Sequence, residues 1–138
     1  MSDTRKAREV EKGAIVHDVF EDGLRFIVMR GPASWCGYVG IPEDHPLAGH
    51  AYDDIGVRAH GGLTFSSKGG GAWPKGFWWY GWDYAHSGDH CVYDGADVRR
   101  GEQDWSLDEV IKDSWETLYE FKAAMRLAEA IAKKASKR

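Results

Sequence analysis

Ser106-Leu107-Asp108-Glu109-Val110-Ile111 opens the stretch whose reading decides the fold. Ser106 stands where an N-cap is needed, and Glu109 follows three residues later, the spacing of a capping box. From there Leu107, Val110, Ile111, Trp115, Leu118, Phe121, Met125 and Ala128 recur at helical spacing, and neither Gly nor Pro follows. One amphipathic helix over about 107–134 is predicted, with its apolar stripe packed on a sheet. The tail Lys133-Lys134-Ala135-Ser136-Lys137-Arg138 reads as a solvated helix end, where cations suit the negative pole of the helix dipole. Contact with a polyanion is the alternative.

Upstream the periodicity changes. Residues 13–20 and Leu24–Met29 read as two strands around Glu21-Asp22-Gly23, because Asp-Gly readily supplies the positive φ of a tight turn. Trp35–Ile41 reads as a third strand, interrupted by Gly37 and Gly40 and ended by Pro42. Residues 42–56 form a long polar loop carrying Glu43, Asp44, His45, His50, Asp53 and Asp54. Val57–Phe65 reads as a strand broken by Gly61-Gly62, and 66–76 as a flexible loop. Phe77–Asp83 reads as an aromatic strand. Residues 84–105 are irregular, with a short strand near Cys91–Tyr93. Strands first and a long helix last predict an α+β fold: an antiparallel or mixed sheet from the N-terminal two thirds, packed against one C-terminal helix. The chain is read as one domain, 1–138, with a charged segment over 1–12, a β-rich part over 13–105 and the helix over 106–134.

Composition bounds the function. The 138 residues are 43% hydrophobic with a net charge of -4, which fits a globular domain and argues against duplex nucleic acid as a partner. No apolar run reaches spanning length and the N-terminus lacks an apolar leader, so no membrane partner and a cytoplasmic location are expected. Cys36 and Cys91 show no CxxC spacing and are expected as reduced thiols. Seven tryptophans fit a core, a stacking surface or an oligomer interface.

The chemistry concentrates between His60 and His90. His60-Gly61-Gly62-Leu63-Thr64-Phe65-Ser66 is followed by Trp78-Trp79-Tyr80-Gly81-Trp82-Asp83-Tyr84-Ala85-His86-Ser87-Gly88-Asp89-His90. Aromatic walls, glycines that expose backbone and titratable groups are the ingredients of a small-molecule site. In a strand, Phe77, Trp79, Gly81 and Asp83 share one face, and Trp78, Tyr80 and Trp82 the other. His60 and His86 are the candidate acid/base pair, oriented by Asp83 or Asp89. If Gly61-Gly62 does not bulge, His60, Thr64 and Ser66 share a strand face. The plainer reading makes each histidine a hydrogen-bonded member of a Trp-rich core. Asp83, His86, Asp89 and His90 also supply ligand types suited to a divalent metal, at no standard spacing. The cofactor expectation is none or such a metal. Asp53-Asp54 either joins it or caps a turn. No nucleophile elbow and no phosphate-binding P-loop is present.

The His60-Gly61-Gly62-Leu63-Thr64 and Trp82-Asp83-Tyr84-Ala85-His86-Ser87-Gly88-Asp89 elements, over roughly 40–90 and the following helix, resemble a family of small uncharacterised bacteriophage and prophage proteins, chiefly of Gram-positive bacteria. Relatives often read Gly-Phe-Asp-Cys-Ala-His in the second element, so Trp82 and Tyr84 depart from it while the Asp and His positions match. The resemblance implies an accessory or counter-defence factor that cleaves or captures a nucleotide immune signal. Aromatic stacking with glycine N–H groups suits a base and a phosphate. On that reading the chain is a phosphodiesterase-like enzyme. His60 and His86 exchange protons, and Asp83 and Asp89 orient them or hold a metal. Thr64 and the Gly61-Gly62 amides contact phosphate, Ser66 belongs to the same ligand-binding set, and Trp79 or Tyr84 stacks on the base. The expected partners are a small nucleotide-like ligand and further copies of the chain. The alternatives are a non-catalytic sponge using the same pocket and a module that binds a host protein.

Overall fold

The computed structural model describes residues 3–92 and 97–136. Strands β1 (Ile15–Glu21), β2 (Leu24–Arg30), β3 (Trp35–Pro42), β4 (Phe65–Gly70) and β5 (Trp73–Asp83) form one antiparallel sheet of order β1-β2-β3-β5-β4, and helix α1 (Leu107–Ser136) follows. The fold is α+β, with α1 packed on one face of the sheet.

The first hairpin turns at Asp22 and Gly23, both with positive φ (51° and 82°), the backbone that a two-residue turn demands. The capping box of α1 is complete: the Glu109 N–H donates to Ser106 Oγ at 3.2 Å, and the Ser106 N–H donates to Glu109 Oε1 at 2.8 Å.

Alternation along β2, β3 and β5 builds two cores. Leu24, Phe26, Val28, Trp35, Val39, Ile41, Tyr80 and Trp82 face α1, where Leu107, Val110, Leu118, Phe121 and Met125 meet them. Ile27, Met29, Cys36, Tyr38 and Trp79 form a second cluster, covered by Phe65, Trp73 and Phe77. The glycines that interrupt β3 have a packing reason. Gly37 pairs with Trp82, Gly40 with Trp79, and Tyr38 with Gly81. A Cβ on Gly37 would lie 2.5 Å from the Trp82 ring, and one on Gly40 would lie 2.8 Å from the Trp79 ring. Each ring therefore lies across the bare backbone of its partner strand.

Several expectations are corrected. Residues 57–64 form no strand, because Gly61 and Gly62 hold φ of 68° and 87°. His60, Thr64 and Ser66 consequently share no strand face. The glycine-rich 66–76 segment is the β4–β5 hairpin, paired from Phe65↔Gly81 to Gly70↔Trp73. Trp115 leaves the buried stripe and is 62% exposed. Cys91 and Val92 lie outside any strand; Tyr93 lies outside the described residues, as do Lys137 and Arg138 of the basic tail.

The 42–56 loop is pinned to the sheet and to α1. Tyr80 donates its hydroxyl to the Leu47 carbonyl at 2.7 Å, Trp78 donates to the His50 carbonyl at 3.0 Å, and His45 meets Glu129 at 3.0 Å. Among the described residues no helix is long and apolar enough to cross a membrane.

Candidate functional site

Two tight turns face each other at the end of β5. In the first, Ala59–Gly62, the Gly62 N–H donates to the Ala59 carbonyl at 2.9 Å and Gly61 sits third with positive φ. In the second, His86–Asp89, the Asp89 N–H donates to the His86 carbonyl at 2.8 Å and Gly88 sits third with φ 93°. A left-handed third position is where a turn of this kind takes glycine. Asp89 closes its own turn a second time, because its Oδ2 accepts the His86 N–H at 3.0 Å.

His60 and Asp89 join the turns. His60 Nε2 lies 2.7 Å from Asp89 Oδ2, with the carboxylate side chain 4% exposed and the imidazole 24% exposed. Trp105 Nε1 donates to Asp89 Oδ1 at 2.8 Å. The backbone N–H of His86 and the indole N–H of Trp105 can only donate, so both carboxylate oxygens act as acceptors. That assigns a proton to His60 Nε2, which donates to Asp89 Oδ2. The ring is held in place by packing. It stacks on Tyr84 at 4.5 Å and 13°, and meets Trp105 edge-on at 5.1 Å. Trp105 is brought there by the pairing of residues 88–90 with Gln103, whose N–H donates to Gly88 and whose carbonyl accepts from His90.

A shallow cleft of about 160 Å³ opens beside His60, lined by Arg58, Asp113, Glu116 and Thr117. Behind Asp113 lies a polar network. The Tyr84 hydroxyl donates to Asp113 Oδ2 at 2.7 Å and accepts from Trp82 Nε1 at 3.3 Å. Burial pushes the Tyr84 phenol well above its ordinary range, so it stays a donor. Arg58 is anchored by Glu120, which accepts from its backbone N–H and from its Nε, each at 3.0 Å. Those two bonds, the backbone one first, hold the Glu120 carboxyl below its ordinary range. The Arg58 guanidinium remains 82% exposed at the rim. The cleft thus combines an oriented imidazole, one cation and two carboxylates. These are group types that can exchange protons and meet a polar molecule.

The expected site residues divide into three groups. His60, Asp89, His86 and Tyr84 converge, and Asp83 stands at their edge. His86 packs edge-on to His60 at 5.9 Å, and its Nε2 lies 3.1 Å from Asp83 Oδ1 without hydrogen-bond alignment. Its ring is pressed against Gly61, where a Cβ would fall 2.2 Å from Nε2. Asp83 Oδ1 accepts the Ala85 N–H at 3.1 Å, an Asx turn that steers the chain out of β5.

Gly61, Gly62 and Thr64 lie close by, with two of their backbone N–H groups taken up in the fold. The Gly62 N–H is committed to its turn, and the Thr64 N–H pairs with the Gly81 carbonyl at 2.9 Å.

Trp79, Ser66 and His90 do not join. Trp79 is fully buried in the second core, with Nε1 donating to the Pro74 carbonyl, because alternation along β5 turns it away from Tyr80 and Trp82. Ser66 Oγ accepts the Tyr52 N–H at 3.0 Å. His90 is buried with Nδ1 3.4 Å from Glu102. Tyr84 is itself 1% exposed, and its ring is spent on His60. Among the described residues no group of three or more His, Cys, Asp or Glu is arranged to hold a metal ion. Asp53 and Asp54 sit in a single helical turn, Tyr52–Asp54.

Trp105, Arg58, Asp113, Glu116 and Thr117 are site residues that the sequence reading passed over. One signal existed: Ser114 and Thr117 are polar positions on the buried face of α1. A polar interruption of an apolar stripe marks where a helix faces something other than core. No protein-family model, curated protein or solved structure matches the chain.

Proposed function

We propose that this chain is a small hydrolase of the phosphodiesterase type that acts on a nucleotide signal, with His60 as its proton carrier. The observation that supports this is the His60–Asp89 pair: a buried carboxylate with three donors, holding an imidazole in one tautomer at the mouth of a cleft. With Nε2 committed to the carboxylate, Nδ1 is the ring nitrogen left for proton transfer. Water oxygen would bond to phosphorus as the bond to the leaving oxygen breaks. His60 would take the water proton, and its imidazolium would return one to the leaving oxygen. Arg58, exposed at the rim and 3.7 Å from Glu116, is the cation that would meet the phosphate. Asp113 and Glu116 in the same cleft disfavour multiply charged phosphates, so a phosphodiester with one charge per linkage fits better than a nucleoside triphosphate. With the resemblance to phage proteins, the setting is counter-defence in the cytosol of an infected cell.

A sponge that captures the signal intact is the second reading, and one observation favours it. The second imidazole of the expected pair, His86, is packed under Gly61 with Nε2 covered. That leaves one proton carrier where two-step acid–base cleavage is helped by two.

Incubation with cyclic dinucleotides and cyclic ADP-ribose-type compounds, with and without chelator, separates the readings. New products that vanish in His60→Ala, with the fold intact by circular dichroism, support the enzyme. A ligand that disappears and returns intact on heating supports the sponge. No change with any compound rejects both.

A further inference from the structure

Helix α1 carries a second apolar line on the side away from the sheet. Trp115, Tyr119, Leu127 and Ile131 are 62%, 69%, 62% and 61% exposed, and Ala123 stands exposed at the centre of the same four-residue spacing. A row at i, i+4 spacing is a ridge inclined to the helix axis, and two such ridges interdigitate when helices cross at about -50°. Isolated exposed apolar residues need no partner, but a continuous ridge of two aromatics and two aliphatics is surface that association covers.

Three features identify the occupant as a second copy of the chain. The ridge is evenly spaced about Ala123, with two aromatics on one side and two aliphatics on the other. Reversing it sets Trp115 against Ile131, Tyr119 against Leu127, and Ala123 against itself, so the smallest side chain falls where the helices come closest.

The charges of α1 are also divided. Asp108, Glu109, Asp113, Glu116 and Glu120 against Lys112 and Lys122 make the part before Ala123 acidic. Arg126, Lys133 and Lys134 against Glu129 make the part after Ala123 basic. Two antiparallel copies set acidic half against basic half and oppose the helix dipoles, whereas parallel copies align like charges.

The aliphatic end of the ridge, finally, borders an apolar groove of about 240 Å³, formed by Leu127, Ile131 and Ala128 against Leu47, Pro46 and Ile55. Pairing Trp115 with Ile131 across the two-fold would bring a Trp115 side chain to the edge of this groove, and tryptophan is among the residues enriched as interface anchors.

We infer that the chain forms a two-fold symmetric dimer through antiparallel α1–α1 packing centred on Ala123, with Trp115 of each copy seated beside Leu127 and Ile131 of the other. The interface is isologous and closes at two copies. It is independent of the reaction assigned to His60.

Sedimentation velocity of the full chain tests the dimer, and disulfide trapping tests its direction. A species of twice the 15.5 kDa chain mass is expected. Trp115→Glu and Ile131→Glu should each shift it to the chain mass with unchanged circular dichroism, since both side chains are exposed in the monomer. Under mild oxidation Ala123→Cys should cross-link to itself. Trp115→Cys should cross-link when mixed with Ile131→Cys but not alone, with the unmodified chain as the control for the native thiols. A monomer at high micromolar concentration overturns the proposal and leaves the ridge to a different protein. A dimer that survives both charge substitutions also overturns it, as does Trp115→Cys cross-linking to itself.

Discussion

The Cα of Gly61 lies against the ring of His86 so closely that a Cβ would fall 2.2 Å from Nε2. This contact locks the two turns that carry His60 and Asp89. Gly61 also holds φ 68°, so a side chain there is opposed both by backbone and by neighbour. Gly61→Ala should cost about 1–3 kcal/mol of unfolding free energy, the range of strained or overpacked sites. Gly62→Ala, with positive φ but open space around its Cβ, should cost about 1 kcal/mol. Denaturant titration of both, and of Gly61→Ala combined with His86→Ala, checks the origin: the second substitution should restore part of the loss, and strict additivity would refute the contact.

Asp89→Asn should change the state of His60 before it changes the fold. The amide keeps one acceptor oxygen for three donors and turns an NH2 toward groups that were donating. A loss of about 1–3 kcal/mol is expected from the unpaired donors. The imidazole should also lose its fixed tautomer, read from its ring nitrogen shifts by NMR. A His60 spectrum unchanged in Asp89→Asn would remove the basis for calling the pair a dyad.

Gly37→Ala and Gly40→Ala place a methyl group into the rings of Trp82 and Trp79, at 2.5 and 2.8 Å. Neither glycine has positive φ, so ring displacement is the whole penalty, about 1–3 kcal/mol each. Thermal melts followed by tryptophan near-ultraviolet circular dichroism report both the stability and the ring movement. Variants as stable as the parent would show that the aromatic rings can slide at no cost.

Alkaline pH should unfold the protein through its buried phenols. Burial pushes Tyr80 up to about 12 and pushes Tyr38 and Tyr84 higher still. An unfolded tyrosine ionises near pH 10, so the unfolded chain releases these protons first. The stability contributed is complete below about pH 10 and falls as pH rises from about 10 toward 12 and beyond. Phenolate absorbance and far-ultraviolet circular dichroism, followed together, should show these three tyrosines ionising with loss of structure. Full tyrosine ionisation at pH 11 in a folded chain would contradict this.

Ser106→Ala should remove one side of the capping box and lower stability by about 1 kcal/mol, measured by denaturant titration. The loss should be smaller in a Glu109→Ala background, because the two bonds share one cap.

The amino-acid sequence by itself determined every element whose stabilising contacts are local or strictly periodic. The helix from Leu107 follows from a cap and a 3.6-residue repeat, the first hairpin from Asp22-Gly23, and the two faces of β5 from alternation. The candidate site was legible as a list and not as an arrangement. His60, His86, Asp83 and Asp89 stand in one region of the chain, yet only the fold decided that Asp89 takes His60 while His86 is packed beneath Gly61. Trp105, Arg58 and Asp113 reach the site from the loop before α1, the turn after residue 57 and the second turn of the helix. The β4–β5 pairing was hidden for a related reason. Glycine-rich residues 69–71 carry no strand signal of their own, and their conformation is imposed by the aromatic strand beside them. The fate of the tryptophans was likewise tertiary: Trp79 and Trp82, three residues apart, enter opposite cores, while Trp115 stays outside because α1 presents only one face to the sheet. Long-range contacts select among local possibilities that are nearly equal in energy, and that selection is made by packing in three dimensions.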